Sequence, residues 1–363
     1  MRLAFHKLIW GMFINGLGMS LPERRYTQAE TWTALQEWDR VRALPTRAQA
    51  LLRKILLGDN GIHSRHFALG AMSESFDLNP DVLQARFTEH APALAAEAAT
   101  QALQQAGISR EKIDAVIIST CTGYLCPGLT SYVSERLGLR GDVLPLDLVG
   151  QGCGAALPNL RTGEALVASG RAANVLSICV EVCSAAAFID EDPGVLVSAC
   201  LFGDGAAAAV LSSEPATQVR RVEWKAAGSH LDPAQRDQLR FEHRGGLLRN
   251  ILRPTVPALA AAGASKVFRT VAEQADVKRK EIAQWIFHAG GRDVLLSLRQ
   301  EFDLQEADTR WSTEVLRDVG NVSSPFVLMA LERALRGDAP GGWWWMSSFG
   351  AGFSCHGALL EVE

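Results

Sequence analysis

Along almost its whole length the chain alternates continuous apolar runs of β character with segments of helical period. The runs "KIDAVIISTCT", "ANVLSICVEV", "GAAAAVLSSE", "IAQWIFHAGG", "GGWWWMSSFGAG" and "SCHGALLEVE" place apolar residues consecutively, not on alternate positions. Strands of that kind are buried on both faces, so helices must cover both sides of their sheet. Between them "APALAAEAATQALQQAG", "LTSYVSERLGL", "GGRDVLLSLRQEF" and "SSPFVLMALERALRG" carry helical patterns, the first closed by a glycine of the kind that caps helix C-termini. The pattern predicts an α/β protein. With 363 residues, 48% of them hydrophobic, the chain is long enough for two domains or one large duplicated one.

An internal echo favours duplication. "LFGDGAAAAVLSS" (201–213) resembles "SFGAGFSCHGALLEV" (348–362), each a Phe-Gly-x-Gly leading into a strand, and "DAVIISTCTG" (114–123) resembles "AQWIFHAGG" (283–291). The boundary is expected within the polar stretch 213–245, which divides the chain into halves 1–225 and 226–363. A single dinucleotide-binding domain fits less well, because "GQGCG" is not G-x-G-x-x-G.

The start, "MRLAFHKLIWGMFINGLGMSLPERR", is basic and then apolar, but Gly11, Asn15 and Gly16 interrupt the run, so it reads as a first strand and not as a signal peptide. No segment approaches the roughly 20 apolar residues that span a bilayer. A net charge of −4 with scattered basic residues gives no footing for nucleic acid. Seven cysteines, an odd number with no C-x-x-C pair, predict free thiols in a cytoplasmic protein, neither a disulfide framework nor a zinc site.

One of those cysteines is placed unusually. In "DLVGQGCGAALPNL", Cys153 lies between two glycines, after the β-like run 143–149 and before a helical one. A helix N-terminus carries partial positive charge that favours a thiolate and can hold an oxyanion, while most free cysteines are simply packed. A nucleophile needs a base and donors. Among eight histidines, His288 ends the apolar run "QWIF" just before "AGG", a strand's C-terminal edge, where α/β sheets bind ligands. Asn321 follows a glycine in "DVGNVSSPFVLMAL"; taken alone it reads as a helix N-cap.

Together "GQGCGAALPNL", "WIFHAGGRDVL" and "GNVSSPFVLMALE", in this order and closed by "SFGAGF", resemble the Cys-His-Asn signature of the chalcone synthase family, the type III polyketide synthases; "CTGYLCPG" and "CLFGDGAAAAV" extend the resemblance over nearly the whole chain. It implies a thiolase-like, five-layered αβαβα fold and a homodimer. It implies that Cys153 takes an acyl group from a coenzyme A thioester, with a charged His288 holding the thiolate. His288 and Asn321 would then donate to the enolate left when malonyl-CoA loses carbon dioxide, and that carbanion would attack the acyl-Cys153 carbonyl. Repetition and cyclisation would give a pyrone, a resorcinol or a related ring, with coenzyme A thioesters as substrates and no cofactor or metal.

The same resemblance assigns further positions. Phe202 matches a gating phenylalanine, and Phe349 would help shape the cyclisation pocket. Asn250 falls where plant enzymes carry a second gate. Cys121, Cys183 and Ala186 stand at cavity positions often held by threonine, and Cys126 where a methionine crosses the dimer. Ala351 replaces a loop proline. These small residues suggest a longer, greasier tunnel, suited to a fatty acyl starter. Arg53, Lys54 and Arg65 are candidates for coenzyme A phosphates, although a solvated helix face is an equal reading. Trp343 to Trp345 are expected in a buried strand, and Glu181 is an acid inside a strand without an assigned role.

Three alternatives stand beside this reading. A ketoacyl-carrier-protein synthase III-like enzyme shares the three residue types, but usually reads His-Gln-Ala-Asn where this chain has "HAGG". A degradative thiolase would need a second cysteine, for which Cys355 is the candidate. A silent thiolase-fold subunit would not need the triad intact.

Overall fold

The computed structural model describes residues 11–363; His6 and the rest of the first ten residues, part of the expected first strand, lie outside them. The strands are β1 (Met12–Ser20), β2 (Arg25–Thr27), β3 (Ser64–His66), β4 (Ala115–Thr120), β5 (Leu144–Val149), β6 (Asn174–Glu181), β7 (Gly205–Ser212), β8 (Val222–Leu231), β9 (Leu239–Arg244), β10 (Leu247–Leu252), β11 (Ile282–Phe287), β12 (Gly342–Gly350) and β13 (Ser354–Val362). Nine of them form a sheet in the order β11-β12-β13-β8-β1-β7-β6-β4-β5, while β2–β3 and β9–β10 are separate pairs.

The sheet repeats itself. From β1 the pairings to β7, β6 and β4 run antiparallel, antiparallel, parallel. From β8 the pairings to β13, β12 and β11 follow the same pattern. Both sequence echoes fall on equivalent strands, β7 with β13 and β4 with β11. The halves join at a short seam, Met12↔Trp224 and Phe13↔Glu223.

Two helices, Ala156–Ala168 and Phe326–Arg336, contact strands of both halves and make the central layer. The second is apolar almost all round, with Phe326 through Leu331 all buried, as a helix enclosed between sheets must be. Helices Pro80–Ala106 and Leu129–Leu137 cover the outer face of the first half, and Val256–Ala275 with Arg292–Phe302 cover the second. The result is the five-layered αβαβα arrangement. The long helix Pro80–Ala106 ends at Gly107, whose φ of 63° suits glycine.

The two repeats join between β7, which ends at Ser212, and β8, which begins at Val222, at the start of the polar stretch 213–245; the rest of that stretch holds β8 and β9, so a division at 225/226 cuts through β8. β8 reads as polar because it is buried at Val222 and Trp224 but leaves most of its later residues partly exposed. Trp344 and Trp345 are fully buried in β12.

Candidate active site

Cys153 sits in the short turn Gly152–Gly154 that connects β5 to the central helix Ala156–Ala168. Gly150 and Gly152 turn the chain with φ of 83° and 57°, the left-handed region that glycine enters freely. The turn is pressed against the β12–β13 connection: a side chain at Gly350 would lie 2.2 Å from the Gln151 carbonyl oxygen and 2.5 Å from the Gly154 nitrogen. The two halves of the molecule therefore meet, backbone to backbone, at the candidate nucleophile.

His288 follows β11, its N–H bonded to the Ser347 carbonyl at 2.8 Å. Its ring is wedged edge-on against Phe326 at 5.2 Å and tilted against Phe349 at 5.1 Å. Asn321 lies two residues beyond the helix Arg310–Val319 and is not a helix N-cap; the helix that follows begins at Phe326 with Pro325 as its cap. The Asn321 Oδ1 accepts the Ser323 N–H at 2.8 Å, and Nδ2 donates to the Gly290 carbonyl at 3.1 Å. Because Ser323 engages the oxygen, the amide nitrogen is the end presented toward His288's loop.

The electrostatics differ from the expected thiolate–imidazolium pair. Burial pushes the Cys153 thiol up to about 12, although the Ser323 hydroxyl pulls the other way. Burial alone pushes His288 down to about 3. Both groups are neutral near pH 7. Among the described residues neither ring nitrogen of His288 has a hydrogen-bond partner, and the Cys153 sulfur instead receives the Ser323 hydroxyl at 3.3 Å. A neutral imidazole is the form that donates an N–H without carrying charge.

Ser323 and Glu181 were not assigned from the sequence. Ser323 adopts φ 57°, a conformation costly for a residue with a side chain and found where the surroundings impose it. Its hydroxyl lies 3.4 Å from the Glu181 carboxylate. Glu181 is fully buried and accepts from the Cys121 N–H at 3.0 Å, Thr122 Oγ1 at 2.9 Å and Ser324 Oγ at 2.6 Å. Burial raises its carboxyl against those bonds. The only sequence signal was an acid in an apolar strand.

Two cavities meet at the cysteine, both lined by Cys153, Phe202 and Leu239. The larger, about 730 Å³, holds His288, Asn321 and Phe349 and reaches Lys54, Arg253 and Arg292. The smaller, about 170 Å³, is walled by Cys121, Cys183, Ala186, Asn250, Ser323 and the apolar side chains of Leu35, Trp38, Met72 and Leu78, among others. Phe202 thus stands where a gate between them would stand. Asn250 is tied to the Ser198 hydroxyl at 3.1 Å.

Other candidates lie elsewhere. Phe349 packs on His288, in the larger cavity and not in the smaller one. Arg53 is exposed and lines neither cavity, whereas Lys54 lines the larger. Cys126 is exposed and outside both. Arg65 is 1% exposed and gives its donors to Gln28 Oε1 at 3.0 Å and to the Ala199 and Phe202 carbonyls at 2.7 and 2.8 Å. A side chain so enclosed is out of reach of a solvent-side phosphate, so Arg65 does not bind the coenzyme A phosphates. Cys355 is buried against Ala260 and Gly263 and lines neither cavity, where a second catalytic thiol would have to be. Among the described residues no group of three or more His, Cys, Asp or Glu side chains is placed to hold a metal ion.

Residues 25–215, more than half of the chain, match the N-terminal domain of chalcone and stilbene synthases. The chain belongs to the chalcone and stilbene synthase family. Residues 272–362 match the C-terminal domain of 3-oxoacyl-[acyl-carrier-protein] synthase III. A 3,5-dihydroxyphenylacetyl-CoA synthase of Streptomyces toyocaensis is 30% identical over 96% of this chain and 89% of its own length. A 1,3,6,8-tetrahydroxynaphthalene synthase of Streptomyces peucetius subsp. caesius is 29% identical over 97% and 93%. Two solved structures share the fold: PKS-I from the brown alga Ectocarpus siliculosus, with TM-score 0.89 at 24% identity over 97% of this chain and 98% of that one, and the tetrahydroxynaphthalene synthase of Streptomyces coelicolor A3(2), with TM-score 0.85 at 24% identity over 96% and 99%. As a member of the chalcone and stilbene synthase family, this chain is an acyltransferase of the type III polyketide synthase class.

Proposed function

We propose that Cys153 accepts an acyl group from a coenzyme A thioester and that malonyl-CoA then extends it by decarboxylative Claisen condensation. The observation that carries this reading is the position of Cys153 at the junction of two cavities, one holding His288 and Asn321, the other an apolar chamber. The thioester enters through the larger cavity, whose rim supplies Lys54, Arg253 and Arg292 for its phosphates. The Cys153 sulfur attacks the acyl carbonyl, its proton passes to His288, and coenzyme A thiolate leaves and takes that proton. Malonyl-CoA then occupies the same cavity. Its carboxylate departs as carbon dioxide, and the electron pair left behind spreads onto the thioester oxygen, to which neutral His288 and the Asn321 amide donate. The carbanion attacks the acyl-Cys153 carbonyl, and the cysteine sulfur leaves.

The lengthened chain returns to Cys153, and its tail lies in the smaller cavity. The apolar wall there favours a fatty acyl starter, and ring closure gives a pyrone, resorcinol or related aromatic product. No step needs a metal or redox cofactor. The chain works in the cytoplasm, in keeping with seven free cysteines, and as a homodimer. Its edge strand β5 exposes Leu144 at 43% and Val149 at 57%, an apolar edge of the kind that a second copy covers.

The test offers the purified protein labelled malonyl-CoA with acyl-CoA starters from acetyl through long-chain fatty acyl to coumaroyl. Products are read by mass against Cys153→Ala. Cys153-dependent products extended by more than one malonyl unit support the reading, and no decarboxylation with any starter overturns it. The match of residues 272–362 to a carrier-protein synthase favours a second reading, one condensation with a malonyl-carrier protein. A single-extension product obtained with the carrier but not with malonyl-CoA would select it.

A further inference from the structure

One side of the smaller cavity follows a single helix face. Helix Gln28–Gln36 buries Gln28, Thr31 and Leu35, spaced three and four residues apart and so on one face. Its first residue is anchored at the Phe202 end of the cavity. The Gln28 amide donates to the Cys200 carbonyl at 2.8 Å and accepts from Arg65 Nε at 3.0 Å, while Arg65 Nη1 holds the Phe202 carbonyl at 2.8 Å. Thr31, Leu35 and, just past the helix end, Trp38 all line the cavity. At a rise of about 1.5 Å per residue, Trp38 stands about 10 Å farther along the helix axis than Thr31. The cavity therefore has a near end at Phe202 and Cys153 and a far end at Trp38.

An aromatic pair closes the far end. Trp38 stacks on Phe76, with ring centroids 5.1 Å apart and planes at 11°. The Trp38 N–H donates to the Leu35 carbonyl at 3.1 Å, and its own carbonyl accepts from the Val41 and Arg42 N–H groups at 2.9 and 3.0 Å, which fixes the root of the indole. Phe76 ends the short helix Met72–Phe76. Buried Arg86 braces that helix against the cavity wall, donating to the Glu74 carbonyl at 2.9 Å and to the Ser184 carbonyl at 2.7 Å. Phe76 is half-buried and lines neither cavity, so its free face is turned to solvent. Leu35 and Leu78, by contrast, are only 9% and 8% exposed. At Trp38 the cavity is thus separated from the surface by one stacked pair of rings.

We propose that Trp38 is a specificity-determining residue that sets the longest acyl chain the enzyme carries: the tail runs from Cys153 along the face of helix Gln28–Gln36 and is stopped by the indole. This deepens the proposed loading of Cys153 and rests on it. The path suits a hydrocarbon tail, because Leu35 is apolar and the Thr31 hydroxyl proton is committed to the Thr27 carbonyl at 3.0 Å. Truncation of Trp38 opens the chamber outward, toward Phe76 and solvent, and leaves no void in the main core.

The alternative is that Trp38 only packs the two short helices together. Chain-length dependence separates the two roles. Acetyl-CoA through octadecanoyl-CoA are offered in two-carbon steps with labelled malonyl-CoA, and kcat/KM is measured for each starter. In the unaltered protein kcat/KM should fall about tenfold or more per step beyond one limiting length, the discrimination that one or two methylenes give against an apolar wall. Trp38→Ala should move that limit up by at least one step, and Trp38→Phe by no more than Trp38→Ala. Leu35→Phe, which adds bulk nearer Phe202, should move it down. A merely structural Trp38 would lower kcat/KM for all starters by a common factor and leave the limit in place, which overturns the proposal. The absence of any limit in the unaltered protein overturns it too. If Trp38→Ala does not fold, as judged by circular dichroism, an unmoved limit in both Trp38→Phe and Leu35→Phe overturns it. Failure of the polyketide reading is seen separately, as absence of malonyl-CoA decarboxylation by the unaltered protein with every starter.

Discussion

Cys153 and His288 are both held neutral by the same cause, removal from water. A thiol whose pKa lies at about 12 reacts through a trace of thiolate, so its alkylation should accelerate tenfold per pH unit from pH 7 to 10 without a plateau. A plateau below pH 7 would show a preformed ion pair. Ser323 donates a hydrogen bond that stabilises the charged sulfur, so Ser323→Ala should slow alkylation about tenfold at fixed pH. Asn321→Ala should lower malonyl-CoA decarboxylation by a factor of about 10² to 10³, the usual effect of losing one oxyanion donor. An unchanged rate would remove Asn321 from the reaction. Cys153 and His288 could be singled out in the sequence because glycines flank one and an apolar strand ends at the other. Ser323 could not, since its role depends on a left-handed backbone. Nor could the position of Arg65, because "SRHF" reads equally as surface or interior, and its burial depends on Gly203 and Gly320 packing against its stem.

At the scale of elements, the tightest constraint is the contact between the Cys153 turn and the β12–β13 connection. Both obstructing atoms at Gly350 belong to backbone, which cannot rotate aside as a side chain can. Gly350→Ala should therefore move the nucleophile, and kcat should fall at least about tenfold while the protein remains folded, as judged by circular dichroism. Activity within twofold of the unaltered protein would mean that the turn is free to shift. Continuous apolar runs made the buried strands β4, β6, β7 and β11 legible. The strand β8 escaped because a strand with one half-exposed face loses that signature. The hairpin β9–β10 escaped for a similar reason: its charged residues, Arg240, Glu242, Arg244 and Arg249, pair across and beyond the strands and look in sequence like a solvated loop.

For the whole molecule, duplication was legible from two short echoes because they mark equivalent strands. Their joining into one sheet through the seam was not, since two pairs of residues leave no periodic trace. The open edge at β5 sets the prediction at this scale. Sedimentation should give twice the mass of 39.3 kDa, and Leu144→Lys with Val149→Glu should shift the protein to monomer by placing charge on the exposed edge. A wild-type monomer at micromolar concentration would overturn the dimer. Cys126 and Tyr124, both exposed in the single chain, should lose accessibility to thiol reagent and solvent on dimerisation.

The junction at Cys153 also dictates how length is measured. In the proposed cycle the thioester end of a growing chain returns to the same sulfur after each addition, while its far end lies in the chamber beyond Phe202, along a wall that includes Trp38 and Leu78. Growth would then stop when the room is gone. An enzyme that works in this way is a ruler and not a clock: raising malonyl-CoA would make it work faster, but the number of units in its product would be set by how much space the walls leave.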